Sequence, residues 1–277
     1  MPVRFQKMHG AGNDFVVLDL RAQEFPVGAD KVRHIADRHL GIGCDQVLVL
    51  RDAPDPTSIA AFEVWNADGS RAEQCGNGVR CLALYLHRQK EATDEVFRLA
   101  GPVGPVTVQM VADAQVRVNM GPPDFSAAGV PTRLPETRGG YEIILDNATR
   151  HIGAVSMGNP HAVLVVDKVN ETDVQGLGSS ISRHAAFPEG CNVGFAEIVS
   201  REALRLRVFE RGAGETRACG SGACAASVIL QRAGRLGGRV EVFQDGGTLT
   251  IEWAGIGNEV FMTGPATFVF EGTLSND

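Results

Sequence analysis

The chain has 277 residues, of which 44% are hydrophobic and 21% are charged, and its formal net charge is −7. This composition excludes a disordered chain and is sufficient for a substantial core, most simply in two domains. Lysine and arginine form no dense run that could follow a nucleic acid, and no segment has the length and apolarity of a membrane span, so we expect a small-molecule function without nucleic-acid or membrane partners.

The predicted elements are mostly strands. Apolar residues that alternate or run between turn signals predict strands at 59–65, 106–110, 116–120, 204–208, 240–242 and 249–253. In the first half, Val79, Leu82, Ala83 and Leu86 recur at helical spacing. In the second half, residues 223–230 are apolar almost all round, which predicts a buried helix that ends near Gly234. Each half is therefore expected to be a sheet around one central helix.

Three short segments recur in the same order, which indicates an internal duplication. The pair Gly-Asn occurs at 12–13 and 158–159, 146 residues apart. Gly-Cys followed by Asp or Asn occurs at 43–45 and 190–192, 147 residues apart. Cys-Gly-Asn-Gly at 75–78 matches Cys-Gly-Ser-Gly at 219–222, 144 residues apart. Nearly constant offsets favour two homologous halves.

Cys75 and Cys219 each stand where the central helix of one half is predicted to begin. Helix N-termini favour negative charge, so we expect the pKa of such a thiol to be lowered. The exposed amides beside them, in a glycine context, are suited to bind a carboxylate. No export signal is recognisable at residues 1–5, so the six cysteines are interpreted as reduced thiols of a cytoplasmic protein.

Two thiols facing one carbon would suit a stereoinversion, in which one group removes a proton and another supplies one from the opposite side. Two adjacent thiolates repel, so the resting pair is expected to be one thiol and one thiolate. Helix amides would stabilise the carboxylate as it gains enediolate charge. This scheme requires no cofactor and no metal.

Two other interpretations of the cysteines remain at this point. Free cysteines are often small buried residues, which is the simplest interpretation of Cys44, Cys81, Cys191 and Cys224. A metal or redox site built from Cys75, Cys81, Cys219 and Cys224 would have ligand intervals of six and five residues, which differ from common zinc spacings.

Four segments carry a resemblance to a known family. They are KMHGAGNDF at 7–15, NADGS at 66–70 leading to CGNGVRC at 75–81, GNPH at 158–161, and ERG at 210–212 leading to ETRACGSGAC at 215–224. Together they span nearly the whole chain, and the two cysteine segments resemble the paired active-cysteine signatures of the diaminopimelate epimerase family.

The resemblance implies an isomerase that interconverts LL- and meso-2,6-diaminopimelate without pyridoxal phosphate, in lysine and peptidoglycan precursor biosynthesis. It implies an α+β fold of two pseudo-symmetric halves, each a curved strand-rich sheet around a central helix. Residues 1–118 with 264–277 would form the half that carries Cys75, and residues 119–263 the half that carries Cys219, with the active site in the cleft between them. It also implies a homodimer.

The resemblance further implies the residues of the site. Cys75 and Cys219 would be the acid and base, with His161 beside Cys75 and Glu210 beside Cys219. Substrate contacts would come from Asn13, Gln46, Asn66, Asn159, Asn192, Glu210 and Arg211, and from the backbone of Gly76, Asn77, Gly220 and Ser221.

Two alternatives stay open on the sequence. One is a related isomerase on the same duplicated fold that acts on proline, hydroxyproline or a non-amino acid. Arg211 and the asparagine set argue instead for a substrate with a second charged head. The other is a thiol-based redox or metal-binding protein.

Overall fold

The structure is a computed structural model that describes residues 2–73, 75–112, 114–137, 140–145 and 147–275. The first part of the chain forms β1 (Val3–Gly10), β2 (Asn13–Asp19), α1 (Ala29–Ala36), β3 (Gln46–Arg51), β4 (Ala60–Asn66), β5 (Arg71–Ala72), α2 (Gly76–Arg88), β6 (Val96–Gly101), β7 (Gly104–Ala112) and β8 (Gln115–Asn119). The second part forms β9 (Glu136–Thr137), β10 (Gly140–Leu145), β11 (Ala148–Ser156), β12 (Pro160–Val165), a 3-10 turn (Val169–Glu171), α3 (Val174–Ser182), β13 (Asn192–Ser200), β14 (Ala203–Glu210), β15 (Gly214–Thr216), α4 (Gly220–Arg232), β16 (Arg239–Gln244), β17 (Gly247–Trp253), β18 (Val260–Pro265) and β19 (Thr267–Leu274).

The chain divides into two compact units, residues 1–119 with 263–277 and residues 120–262. In the first unit, β1 pairs antiparallel with both β19 and β2, β2 pairs parallel with β3, and β3 pairs antiparallel with β4. Strand β4 then pairs parallel with β6, which is followed by the antiparallel pairs β6–β7 and β7–β8. Helix α2 packs against β1, β2, β7, β8 and β19.

The second unit repeats this sequence of pairings. Strand β11 pairs antiparallel with β10 and β12, β12 pairs parallel with β13, and β13 pairs antiparallel with β14. Strand β14 pairs parallel with β16, and β16 pairs antiparallel with β17. Helix α4 packs against β11, β12, β13, β14, β16 and β17. Each unit is thus a strand-rich sheet that packs on one 13-residue helix.

Both central helices are buried on nearly all sides. In α2, the apolar residues at helical spacing are all buried, including Leu82 and Leu86 at 0% exposure, and residues 76–84 are buried without interruption. In α4, the small residues of the 223–230 segment are buried nearly all round, which lets sheet approach the helix on several sides. The helix ends at Arg232, and Gly234 has a φ of +72°, a conformation that glycine adopts without strain. The predicted helix end near Gly234 is confirmed.

None of the helices in the described ranges is long and apolar enough to cross a lipid bilayer.

Candidate active site

Cys75 and Cys219 occupy the same position in their units, as the N-cap residues of α2 and α4. The Cys75 sulfur accepts a hydrogen bond from the amide of Gly78 at 3.3 Å, and the Cys219 sulfur accepts one from the amide of Gly222 at 3.4 Å. A Cβ atom on Gly222 would lie 3.2 Å from the Cys219 sulfur and 3.0 Å from a methyl carbon of Val208. Glycine therefore leaves the space in which the thiol lies against the first helical turn.

The amide side chain of Asn13 lies beside Cys75, and further amides lie at strand ends of the same unit. Asn13 begins β2, and its Oδ1 lies 3.9 Å from the Cys75 sulfur and accepts a hydrogen bond from Asn77 Nδ2 at 3.3 Å. Gln46, the first residue of β3, is opposite Asn66, the last residue of β4, and its Nε2 donates to Asn66 Oδ1 at 2.9 Å. The first unit thus gathers several neutral donors and acceptors at strand ends.

A carboxylate lies beside Cys219. Glu210 ends β14, accepts a hydrogen bond from the hydroxyl of Thr216, and interacts with the Cys219 thiol. The Ser221 hydroxyl lies 3.6 Å from the Cys219 sulfur. Cys219 itself is only 4% exposed. The second unit therefore places a buried thiol next to a carboxylate and a hydroxyl.

The surroundings of Cys219 correct one expectation from the sequence. Burial raises the pKa of the Cys219 thiol well above its ordinary value, and the negative charge of Glu210 raises it further. Hydrogen bonds from Ser221 and from the Gly222 amide act in the opposite direction but are weaker. The expected lowering of this thiol pKa at a helix N-terminus is wrong, because desolvation penalises the thiolate more than the helix end favours it. Cys219 is a neutral thiol near neutral pH, which suits a proton donor.

His161 is completely buried in β12 of the same unit. Its Nε2 lies 2.9 Å from Asn159 Oδ1. Burial lowers the pKa of His161 to about 3, and the positive charge of Arg211 contributes to the lowering. The imidazole is therefore neutral at physiological pH.

The side chain of Asn192 is hydrogen-bonded to the backbone of Arg211. The Asn192 Oδ1 accepts the Arg211 amide at 2.9 Å, and its Nδ2 lies 3.4 Å from the Pro160 carbonyl. The Arg211 guanidinium donates to the Glu189 carbonyl at 2.7 Å and is otherwise on the surface. A buried amide thus fixes the backbone from which an exposed cation projects.

The predicted site residues are distributed over the two units. Asn13, Gln46, Asn66, Cys75, Gly76 and Asn77 belong to the first unit, and Asn159, His161, Asn192, Glu210, Arg211, Cys219, Gly220 and Ser221 belong to the second. Gly76 and Gly220 are the first residues of α2 and α4. His161 and Cys75 belong to different units, and the expectation that they lie side by side stays a prediction.

Gln244 is a residue that the sequence analysis does not single out. Its Oε1 accepts the backbone amide of Cys219 at 2.8 Å, and the amide of Gly246 donates to the Arg217 carbonyl at 2.9 Å. The sequence Asp245-Gly246-Gly247 is typical of a turn, but a turn motif does not tell which distant segment the turn contacts. The hairpin formed by β16 and β17 thereby holds the segment that leads into α4.

All six cysteines are free thiols. Within the described parts of the chain, no three His, Cys, Asp and Glu side chains come together in an arrangement that could hold a metal ion.

Replacement of Glu210 by Gln tests the electrostatics of Cys219. Loss of the negative charge removes one of the causes that raise the pKa of this thiol, so the pH dependence of Cys219 alkylation by iodoacetamide should move to lower pH. Burial is unchanged, so the thiol should still titrate above its ordinary range. Peptide mass spectrometry after timed alkylation measures the rate, and Glu202→Gln, at an exposed position, is the matched control. A profile that stays in place in Glu210→Gln, or moves equally in the control, would contradict this account.

Comparison with known proteins gives the family. The diaminopimelate epimerase family model matches residues 5–126 and 153–269. A diaminopimelate epimerase of Xylella fastidiosa is 47% identical over 98% of this chain and 96% of its own length, and one of Xanthomonas campestris is 47% identical over 98% and 95%. A crystal structure of a hydroxyproline epimerase from Agrobacterium vitis superposes with a TM-score of 0.71 at 18% identity, over 99% of this chain and 92% of that one. The predicted α+β fold and the resemblance are confirmed, and the chain belongs to the diaminopimelate epimerase family.

Proposed function

We propose that this protein is a cofactor-independent epimerase that interconverts LL- and meso-2,6-diaminopimelate. The observation that carries the proposal is the pair of cysteine-capped helices, one in each repeat, with glycine amides at the first turn. The relatives of 47% identity are named as diaminopimelate epimerases, and they match nearly the full length of this chain. The reaction would supply meso-diaminopimelate for lysine and peptidoglycan precursor synthesis.

In the proposed reaction, the two thiols act on one α-carbon that lies in a cleft between the units. In one direction, the Cys75 thiolate takes the α-proton, and the electron pair of the C–H bond moves into the carboxylate as an enediolate. The Cys219 thiol then donates its proton to the opposite face, so a new C–H bond forms and the S–H bond breaks. In the reverse direction the roles exchange. The raised pKa of Cys219 supports its assignment as the initial proton donor.

We propose that the reacting carboxylate is held by the helix N-termini, through the amides of Gly76, Asn77, Gly220 and Ser221. Such amides stabilise the enediolate because they are already oriented toward the charge before it develops. His161 and Glu210 would modulate Cys75 and Cys219 respectively. The contact between Glu210 and the Cys219 thiol supports the second assignment.

The second amino-acid head of the substrate would meet the polar side chains. Asparagine and glutamine present donors and acceptors together, which fits an ammonium and a carboxylate on one carbon, and arginine can pair with a carboxylate through two hydrogen bonds. We assign this role to Arg211 and to the amide side chains Asn13, Gln46, Asn66, Asn159 and Asn192. The buried Asn192, which is bonded to the Arg211 backbone, supports a preformed site.

Solvent isotope exchange tests this function. In deuterium oxide, the enzyme should incorporate deuterium at the α-carbon of diaminopimelate and invert it, and proline should remain unlabelled. Cys75→Ala and Cys219→Ala should each lower inversion by at least about 100-fold, since each removes one of the two proton carriers. Cys81→Ala, which removes a buried thiol in α2, is the matched control and should remain active.

Mass spectrometry and chiral chromatography measure labelling and inversion. Exchange into proline but not into diaminopimelate would replace the assignment by a proline racemase. Full inversion by Cys219→Ala would show that another group carries the second proton.

Oxidation tests the shared site. If both thiols reach one carbon, a mild oxidant added to the substrate-free enzyme should join Cys75 to Cys219 as a disulfide, with loss of activity and recovery after reduction. Peptide mapping identifies the bond. Oxidation that inactivates the enzyme without this disulfide, or activity that persists in the verified disulfide form, would argue against one site shared by the two cysteines.

We also propose a cytoplasmic homodimer. Six free thiols fit a reducing compartment. Strand β19 carries the exposed apolar side chains Val269 and Phe270, at 50% and 45% exposure, which supports an apolar contact with a second copy. Sedimentation at micromolar concentration should give about twice the chain mass of 29.5 kDa. A single species at the chain mass would refute the dimer.

A further inference from the structure

The starts of β2 and β3 are joined by two aspartates. The backbone amide of Asp14 donates to the carboxylate of Asp45 at 3.1 Å, and the backbone amide of Asp45 donates to the carboxylate of Asp14 at 3.0 Å. The Asp45 amide also lies 3.0 Å from the Asp14 carbonyl. This reciprocal pair fixes both strand starts relative to each other.

Two cations hold these carboxylates in place. Arg38 donates to Asp14 at 2.8 Å and to Asp45 at 2.8 Å, and the nearly buried Lys7 donates to Asp14 and to the carbonyl of Gly43. Burial alone would raise the pKa of Asp14, but the hydrogen bonds from Arg38 and Lys7 outweigh it and hold that pKa well below its usual range. The carboxylate of Asp14 is therefore a fixed negative charge between two positive ones.

Asp45 determines how the amide of Asn13 is turned. Asn13 Nδ2 donates to the Asp45 carboxylate at 2.9 Å. A carboxylate accepts hydrogen bonds and cannot donate one, so the NH₂ end of Asn13 must face Asp45. The oxygen end then faces Cys75 and accepts from Asn77. We infer that Asp45 is a positioning residue for Cys75, which acts by fixing the carbonyl end of the Asn13 amide toward the thiol.

The second repeat does not carry these carboxylates. Pro160 stands at the position that corresponds to Asp14, and Asn192 stands where the first repeat has Asp45. Asn192 there accepts the amide of Arg211 instead. The hydrogen bonds of Asp14 and Asp45 are therefore specific to the surroundings of Cys75 and are not a general requirement of the duplicated fold.

The expected consequence concerns the reactivity of Cys75. A fixed acceptor oxygen favours the protonated thiol, which is the form in which Cys75 would donate its proton in the reverse direction of the proposed reaction. An amide that is free to turn can instead present its NH₂ group to the thiolate. Asp45→Asn should therefore shift the pH profile of Cys75 alkylation to lower pH and raise the alkylation rate at pH 7 by about two- to tenfold, the range expected for one hydrogen bond. Asp45→Glu, which keeps the charge but displaces the carboxylate by one methylene group, should shift the profile in the same direction and separates geometry from charge.

A double-mutant cycle with Asn13→Ala tests whether Asp45 changes the reactivity of Cys75 through Asn13. If Asp45 acts through Asn13, Asp45→Asn should add no further change in the Asn13→Ala background. The control is Asp30→Asn, which removes an equal charge from a highly exposed ion pair with Arg33 and should leave the profile in place. Thermal melting of each variant confirms that the protein is folded.

Three results would overturn the inference. They are an unchanged Cys75 profile in folded Asp45→Asn and Asp45→Glu, an equal shift in the Asn13→Ala background, and an equal shift in Asp30→Asn. The catalytic meaning of this positioning rests on the proposed function, but the alkylation assay contains no substrate. A failed alkylation result is therefore distinguishable from a failure to epimerise diaminopimelate.

Discussion

The hydrogen bond from a backbone amide to a cysteine sulfur, at the first turn of each central helix, links the fold of this protein to its chemistry. The helix offers unsatisfied amides at its N-terminus, and the thiol satisfies one of them as an N-cap. Glycine three residues later leaves room for the sulfur, and the small apolar residues that follow in α4 bury the helix in the sheet. The sulfur position is therefore set by helix capping and packing.

The two repeats use this cap in different electrostatic settings. Cys75 is half-buried among neutral amides, with a network of Lys7, Asp14, Arg38 and Asp45 behind Asn13. Cys219 is almost completely buried beside the carboxylate of Glu210. An epimerase needs one thiol and one thiolate at the start of each turnover, and identical surroundings would leave that choice undetermined. The different side chains around the same N-cap position therefore give the two thiols different electrostatic surroundings.

Much of the fold was predictable because its signals are local. The strands β4, β7, β8, β14, β16 and β17 show apolar alternation or short apolar runs, and α2 and α4 follow directly from their apolar patterns. Helix α3 was not predicted, because its sequence contains two glycines and three serines that disfavour a helix. It is stabilised instead by the Asp173 cap and by packing against β13 and β14. Helix α1 was not predicted either, because its eight residues are too few to show a clear helical period.

The sequence predicts a set of candidate site residues but not their electrostatics. The repeated motifs identify Cys75, Cys219 and Glu210, whereas the contact of Gln244 with the Cys219 amide depends on the packing of a distant hairpin. The pKa of Cys219 depends on how completely the thiol is buried, which a helix-capping motif does not specify. Sequence motifs therefore indicate candidate groups but do not predict the protonation of those groups.

Desolvation accounts for the two shifted groups of the second unit together. It raises the pKa of the Cys219 thiol and lowers the pKa of the His161 imidazole, because in both cases a dry environment penalises the charged form. Both groups are neutral as a result, and a neutral thiol retains the proton that a stereoinversion must deliver. Burial, more than the helix dipole, therefore keeps both groups of this unit neutral.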